Sequence, residues 1–154
     1  MTSGLAVAYW AALVLGALLM GTSFAHTLEM PPKMRADGSM WTTLQHTLYS
    51  YFAKVAGVVE LGAIVATATV SILTRHQGST FYLALLAAIA LVVAFFGVWI
   101  GFTQPVNART ASWNAAAIPA DWMRWRSQLE YSHATRFILH LVAFGALAWS
   151  LVDL

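Results

Sequence analysis

Long apolar runs alternate with short polar connections along the chain, and these runs predict four helices. The runs cover residues 5–25, 53–73, 81–102 and 137–151. A helix needs roughly 20 residues to cross the hydrocarbon core of a bilayer. The first three runs reach that length directly, and the fourth reaches it when residues 129–136 extend it at its front. The pattern predicts an all-α integral membrane protein, an antiparallel bundle of four transmembrane helices that forms a single domain over residues 1–154.

Two of the connections predict further helical structure. Residues 41–52 continue the second run, and one helix from there to Leu73 would have about 33 residues, a length of about 50 Å. In the connection before the fourth run, residues 119–121 (Pro-Ala-Asp) are typical of a helix N-terminus with an acidic first turn. Trp122 and Trp125 follow, and tryptophan is common at the level of lipid headgroups. We therefore expect an extended helix 2 and an interfacial helix before helix 4.

Composition indicates that these helices lie in a membrane. Hydrophobic residues make up 60% of the chain and charged residues 9%, with a mean hydropathy of +0.69. Soluble domains are about one-quarter charged, and a short soluble chain buries too little of its surface to hide so many apolar side chains. We expect a multi-pass protein of a bacterial inner or plasma membrane. Its partners would be the lipid bilayer and, as a further candidate, a second copy of the chain.

Charge and cysteine content exclude some classes of function. The formal net charge of +2 is too small to suggest nucleic acid as a partner. The chain has no cysteine, which excludes disulfides, thiol nucleophiles and thiolate metal sites.

Polar residues concentrate at one side of the predicted bundle. In an antiparallel arrangement, the end of helix 1, the start of helix 2, the end of helix 3 and the start of helix 4 meet at that side. Each residue alone also fits a polar helix end in the membrane interface, but three histidines and two glutamates together predict a functional pocket. The polar residues at these four places are His26, Glu29, Gln45, His46, Tyr49, Gln104, Asn107, Gln128, Glu130, His133 and Arg136.

The spacing of these residues indicates metal ligands. His26 and Glu29 are three residues apart, as are Glu130 and His133, so each pair lies on one helical face. Glu-x-x-His is the unit that di-iron carboxylate bundles use, and imidazole with carboxylate ligands suits iron, manganese or zinc. The predicted ligands are His26, Glu29, His46, Glu130 and His133, with iron the first candidate and copper, manganese or zinc the alternatives.

Two ionisable residues lie deeper in the apolar runs. Glu60 is inside the second run and His140 is inside the fourth. Ionisable groups inside a membrane are costly and are usually paired or functional. We expect Glu60 either to pair with His140 across the bundle or to be protonated, and both residues are additional site candidates.

Four stretches resemble the anthrone oxygenase-like family of small four-helix membrane proteins. They are "GTSFAHTLEMPPK", "QHTLYSYF", "QPVNARTASW" and "DWMRWRSQLEYSHATRFILHLVAF", and together they cover nearly the whole chain in order. The resemblance rests on Pro-x-Asn after helix 3 and on Trp…Glu-x-x-His-x-x-Arg at the start of helix 4. The chain has Leu129 where the family pattern has a second tryptophan, and its His26/Glu29 pair looks like a subgroup feature. The positions carried over by the resemblance are Pro105, Asn107, Trp125, Glu130, His133 and Arg136.

The resemblance implies an oxygenase, because named members of the family are linked to oxidation of anthrones to anthraquinones. We therefore predict a membrane oxidoreductase acting on a hydrophobic, phenolic or quinone-like substrate. His133 or His46 would take the phenolic proton, and Arg136 and Asn107 would stabilise the oxyanion. Tyr49 is a further catalytic candidate. The metal-dependent and the metal-free version of this reaction both stay open.

Two other classes of function also stay open. Histidines on different helices, such as His46 and His140, could be axial ligands of haem in an electron carrier, and a bound quinone is the related option. A non-enzymatic membrane module or transporter subunit would use Gly57, Gly62, Gly97 and Gly101 as close-packing points between helices. Lysine and arginine in the two polar connections predict that these connections are cytoplasmic and that both termini are outside.

Overall fold

Helices account for most of the protein, and their bounds follow the apolar runs closely. The computed structural model describes residues 2–49 and 51–154, apart from the side chain of residue 53. Within these residues no strand is present, and an isolated bridge joins Asn114 to Ala117. The predicted all-helical class is confirmed. The helices are α1 (Ser3–Arg35), α2 (Gly38–Thr47), α3 (Phe52–Leu73), α4 (Ser79–Val92), a π-helical segment (Val93–Thr103), α5 (Gln104–Thr110) and α6 (Trp122–Val152).

Four helices are long and apolar enough to cross a membrane, as expected of a multi-pass membrane protein. They are Ser3–Arg35, Lys54–Leu73, Ser79–Thr110 and Trp122–Val152, where the third combines α4, the π-helical segment and α5. Large apolar side chains on the outside of these helices, such as Trp10, Val58 and Ile138, are well exposed. Surface of this kind is suited to lipid rather than to water.

The four long helices pack in a ring, with α1 against α3 and α6, and α4 against α3 and α6. Contacts between α1 and α6 run in opposite order along the two helices. Tyr9 near the start of α1 hydrogen-bonds Ser150 near the end of α6 at 2.9 Å. Ser23, later in α1, hydrogen-bonds His140, earlier in α6, at 3.1 Å. The core between these helices consists mainly of alanine and leucine. Small side chains allow membrane helices to approach closely.

Helix α1 is longer than its apolar run, because it continues through the double proline to its last turn. The last carbonyls of a helix have no intrahelical donors, so this end needs outside support. Arg126 provides it, donating from Nη1 to the carbonyl of Ala36 at 2.9 Å and to that of Lys33 at 3.5 Å. The continuation brings Lys33 beside Glu29 and His26, one and two turns earlier in the helix.

The prediction of an extended helix 2 is wrong, because α2 ends at Thr47 and α3 begins at Phe52. Threonine and aromatic residues, which are weak helix formers, are frequent in this stretch. Tertiary contacts on both sides of the break override the remaining helical tendency. Trp41 is fully buried beside Trp113, and Tyr49 hydrogen-bonds Glu29 of α1.

The predicted interfacial helix before helix 4 is not a separate element. Asp121 precedes the first residue of the helix, as predicted, but Trp122 begins a single helix that continues to Val152. The tryptophans have protein partners, since Trp122 and Trp125 pack against a second core that contains Trp41. This packing keeps the polar start of α6 in line with its apolar part.

The glycines predicted as close-packing points behave differently from one another. A methyl group at Gly62 would lie 3.3 Å from the Leu15 side chain, so α1 and α3 cross closely there. A methyl group at Gly97 would contact only Val93 of the same helix, at 3.7 Å, and those at Gly57 and Gly101 would meet open space in the described part of the chain. Only Gly62 of the four predicted positions therefore allows close packing within one chain.

Candidate functional site

Polar ends of the helices enclose a cavity of about 50 Å³. Most of the side chains predicted to form a pocket line it, Gln45 among them, together with Lys33, which was not expected. Apolar walls come from Leu19, Phe52, Trp99 and others. The predicted site residues that line the cavity are His26, Tyr49, Asn107, Glu130, His133, Arg136 and His140.

Two histidines from different helices form a stacked pair in this cavity. The His26 and His133 rings are nearly parallel, at 11°, with centroids 4.2 Å apart. The Lys33 ammonium can only donate, so His26 Nδ1, 3.3 Å away, is an acceptor and a neutral His26 carries its proton on Nε2. His133 differs, because neither of its ring nitrogens has a hydrogen-bond partner within residues 2–49 and 51–154. His133 therefore presents imidazole nitrogens that are available to a ligand.

Lys33 is the central cation of the site. Its Nζ lies 3.0 Å from Glu29 Oε2 and 3.6 Å from Glu130 Oε2, and 4.2 Å from the centre of the Tyr49 ring. The side chain is almost fully buried, and burial of a charge requires such partners. Sequence reasoning missed Lys33 because it follows the double proline, although its spacing of four from Glu29 and seven from His26 was a usable signal.

Tyr49 connects the start of α3 to α1. Its hydroxyl donates to Glu29 Oε2. Burial, and then the nearby Glu29 carboxylate, raise the pKa of Tyr49 well above its usual value near 10. Tyr49 thus stays protonated across the neutral and mildly alkaline range, so it can position Glu29 but cannot act as a base.

Glu130 lies at the boundary between the cavity and the second core. Trp41 Nε1 donates to Glu130 Oε1 at 3.1 Å. The other carboxylate oxygen has no hydrogen-bond partner among the described residues and faces Lys33. The side chain is 1% exposed, so Lys33 and Trp41 together stabilise a carboxylate that water does not reach.

Glu60 forms the deepest part of the polar network. Its carboxylate accepts from Arg136 Nη2 and from His140 Nε2, the latter at 2.9 Å, and the side chain is 0% exposed. His140 Nδ1 completes the network with Ser23 Oγ at 3.1 Å. The expected pairing of Glu60 with His140 is therefore present, and Arg136 joins it. Arg136 Nε is buried without a hydrogen-bond partner among the described residues.

The structure does not bring His46 to the other predicted metal ligands. Its Nε2 donates to the Thr110 carbonyl at 2.9 Å, which attaches α2 to the end of α5. Three of the remaining four, His26, Glu29 and Glu130, meet around the ammonium of Lys33 rather than around an open position, and His133 stacks on His26. In the part of the chain that is described, no three His, Asp or Glu side chains are arranged to hold a metal ion. This donor set, with a cation already at its centre, does not fit the predicted metal.

Other polar residues of the predicted side have structural partners. Gln128 Nε2 donates to the Phe102 carbonyl at 3.0 Å. Trp125 packs in the second core and donates from Nε1 to Asp121 at 2.8 Å. Of the positions carried over by the family resemblance, Asn107, Glu130, His133 and Arg136 line the cavity, whereas Trp125 contributes to packing.

Comparison with known proteins gives no relative for this chain. No protein family, no curated protein and no solved structure matches it.

Proposed function

We propose that this chain is an antiparallel four-helix bundle in the membrane and an oxygenase-type oxidoreductase. Its substrate would be a hydrophobic molecule with a phenol or a C–H group made acidic by a neighbouring carbonyl. The observation that carries the proposal is the His133 imidazole, which lines a polar cavity, stacks on His26 and has no hydrogen-bond partner among the described residues. A histidine in this situation is suited to take a proton from a bound substrate.

The first step would be proton abstraction by His133. Its imidazole lines the cavity, so a ring nitrogen can accept a proton from a bound substrate and release it again. His26 supports the ring of His133 from one side, and Lys33 keeps His26 in one tautomer by donating to its Nδ1. The substrate loses a proton to His133 and becomes an enolate or carbanion.

Arg136 and Asn107 would stabilise the negative charge that forms on the substrate oxygen. Glu60 accepts from the Nη2 atom of Arg136, so the guanidinium is held in place, while its Nε is buried without a partner in the described residues. Asn107 lines the same cavity. Oriented donors of this kind stabilise an oxyanion more than they stabilise the neutral substrate, which lowers the barrier.

The electron-rich carbanion would then react with molecular oxygen directly. A C–O bond forms, and one proton converts the peroxide anion into a substrate hydroperoxide. Loss of water then leaves a carbonyl. In total a methylene group and O₂ become a ketone and H₂O, so the substrate is oxidised and oxygen is reduced, with no other oxidant required.

Oxygen uptake by the purified protein tests this proposal. A hydroxylated anthrone is the probe, and its conversion is followed by oxygen consumption and by the absorbance of the quinone. We expect His133→Ala to lower kcat by about 10²–10⁴-fold, the usual contribution of a general base. His76→Ala is the matched control, since His76 is an exposed histidine near Arg75 at the other end of the bundle. Equal rates in wild type and His133→Ala would refute the assignment of the base.

The metal-dependent version of the reaction stays a prediction with its own test. Metal analysis of protein purified without chelator would be done on wild type, Glu130→Ala and His133→Ala. The position of Lys33 among His26, Glu29 and Glu130 leads us to expect no stoichiometric iron, manganese, copper or zinc. Stoichiometric metal that is lost in both variants would favour the metal site predicted from sequence.

The two non-oxygenase functions have less support from the site. Both ring nitrogens of His140 are hydrogen-bonded, and His46 is bonded to a backbone carbonyl, so this pair is not free to ligate haem. A quinone carrier or a non-enzymatic module would bind or assemble without consuming oxygen. Absence of turnover in the oxygen assay would therefore favour these classes. The bacterial membrane location stays a prediction.

A further inference from the structure

A second, apolar cavity adjoins the polar one. It has a volume of about 320 Å³ and lies between α1 and α3. Four residues line both cavities, namely Leu19, Thr22, Phe52 and Ala56. The two spaces are thus separated by no more than the thickness of these shared side chains.

The apolar cavity opens on the outside of the bundle. Val55, which lines it, is 61% exposed on the face of α3 that would meet lipid. A cavity of about 300 Å³ or more is the usual size of a site for a small organic molecule. The polar cavity, at about 50 Å³, has room only for a small group of atoms. Together the two spaces match one molecule with a large apolar body and a small polar head.

Unpaired donors indicate the chemistry of that head. Arg136 Nε and Gln45 Nε2 are both buried without hydrogen-bond partners among the described residues, and both side chains line the polar cavity. A buried donor without a partner costs about 1–3 kcal/mol. An oxygen of a bound ligand would satisfy these donors, whereas a hydrocarbon or an ammonium group would not.

We infer that the groove between α1 and α3 is a lateral binding site through which a hydrophobic molecule reaches the polar cavity from the bilayer. The occupant is a hydrophobic molecule that carries an oxygen acceptor, a carbonyl or a hydroxyl, which lies at Arg136 and Gln45 while the apolar body fills the groove. This inference names the substrate class of the proposed oxygenase and rests on that function for the reaction. Binding itself can be measured without turnover, so the two can fail separately.

Binding of a hydroxyanthraquinone to protein in phosphatidylcholine nanodiscs tests the inference. Ala56→Trp fills the wall shared by the two cavities, and we expect it to raise the Kd at least tenfold. Val58→Trp is the matched control, because Val58 is exposed on the same helix but lines neither cavity, and its Kd should stay within twofold of wild type. If Ala56→Trp does not fold, Val55→Trp blocks the groove from an exposed position, and it should likewise raise the Kd at least tenfold.

The polar end is tested with a ligand that lacks oxygen. Anthracene should bind wild type at least tenfold more weakly than the quinone, and Gln45→Leu should weaken quinone binding while leaving anthracene unchanged. Equal binding of both ligands, or equal Kd values for the blocked variant and Val58→Trp, would overturn the inference. The inference would also be overturned if native mass spectrometry showed a copurifying phospholipid in the groove that the quinone does not displace. Tight quinone binding without oxygen uptake would instead remove only the proposed reaction.

Discussion

Glu60 is a fully buried carboxylate with two buried donors. Arg136 and His140 both donate to it in the interior of the bundle. Breaking a buried ion pair by removing one partner leaves the other charge without compensation. The stability of the bundle should therefore depend on Glu60 more than on exposed acidic residues.

We expect Glu60→Gln to lower the free energy of unfolding by about 3–5 kcal/mol, the usual cost of leaving a buried charge unpaired. Thermal unfolding in detergent measures it, with Asp153→Asn, an exposed residue, as the control. Removing both partners with apolar residues, Glu60→Leu with Arg136→Met, should recover much of the loss. A double variant that is less stable than Glu60→Gln would contradict the assignment of the loss to an uncompensated Arg136.

The Tyr49 hydroxyl gives the site a dependence on alkaline pH. Its pKa is raised in the folded protein, so its contribution to stability is fully present below the unfolded value near 10. That contribution declines as pH rises above 10, because the unfolded chain then releases a proton that the folded chain retains. Tyr49→Phe should lower stability by about 1 kcal/mol at pH 8, for the lost hydrogen bond.

Above pH 10, the stability of the same variant should also fall less steeply than that of wild type. Unfolding midpoints at pH 8, 9, 10 and 11 check both effects. Tyr82→Phe, an exposed tyrosine, serves as the control. Parallel curves for wild type and Tyr49→Phe across this range would show that Tyr49 does not titrate as its contacts require.

At the scale of the element, the end of α1 depends on a side chain from α6. Arg126 donates to two carbonyls at this end, those of Lys33 and Ala36, and its guanidinium also lies over the Trp122 ring at 4.6 Å. We expect Arg126→Ala to loosen this turn, because hydrogen bonds to a charged group contribute about 1.5–3 kcal/mol.

Hydrogen exchange of the amides near Ala36 measures this loosening. Exchange should become at least tenfold faster in Arg126→Ala and stay unchanged in Arg124→Ala, since Arg124 is exposed and has no bond to this turn. Exchange that is unchanged in both variants would mean that the double-proline turn is stable without Arg126.

The π-helical segment is the element that the sequence did not predict. Its residues are as apolar as those of α4, so the run at 81–102 indicates a helix without distinguishing α from π hydrogen bonding. A π-helix is wider and turns less per residue, and it often occurs at functional sites. Here its last residue, Thr103, hydrogen-bonds Ser132 of α6 at 2.8 Å, and Asn107, four residues later, lines the cavity. Tertiary contact with α6, rather than local preference, decides this geometry.

At the scale of the whole molecule, the basic residues predict an orientation. Lys33 and Arg126 are buried between helices and should not be counted as loop charges. Arg35, Arg109 and Arg124 remain at the cavity end, against Arg75 at the other end. The rule that cytoplasmic connections are positively charged still predicts the cavity end in the cytoplasm.

Accessibility of single cysteines tests the orientation and the four crossings together, because the natural chain has no cysteine. Cysteines introduced at Gln77 and Leu154 should react with an impermeant reagent from outside the cell, and those at Asp37 and Ala116 only after permeabilisation. The opposite result would invert the orientation while keeping the four spans. Labelling of Asp37 and Leu154 from the same side would contradict four crossings.

The apolar pattern was enough to predict the class of the protein, the approximate spans and the side at which polar residues meet. Those features depend on local properties, namely helix period and the cost of polar groups in lipid, which can be read from neighbouring residues. The same pattern predicted His26, Glu130 and His133 as members of one pocket, and it left two options for Glu60, pairing with His140 or protonation, of which the structure shows the pairing.

Only packing decided the rest of the site. Lys33 occupies the centre of the expected metal ligands, and His46 faces α5 instead of the cavity. The two helices that were expected as one, α2 and α3, are separate because Trp41 and Tyr49 each bond to another helix, Trp41 to Glu130 of α6 and Tyr49 to Glu29 of α1. Contacts of this kind join residues far apart in the chain. Their free energy depends on which side chains meet in space, and no local pattern contains that information.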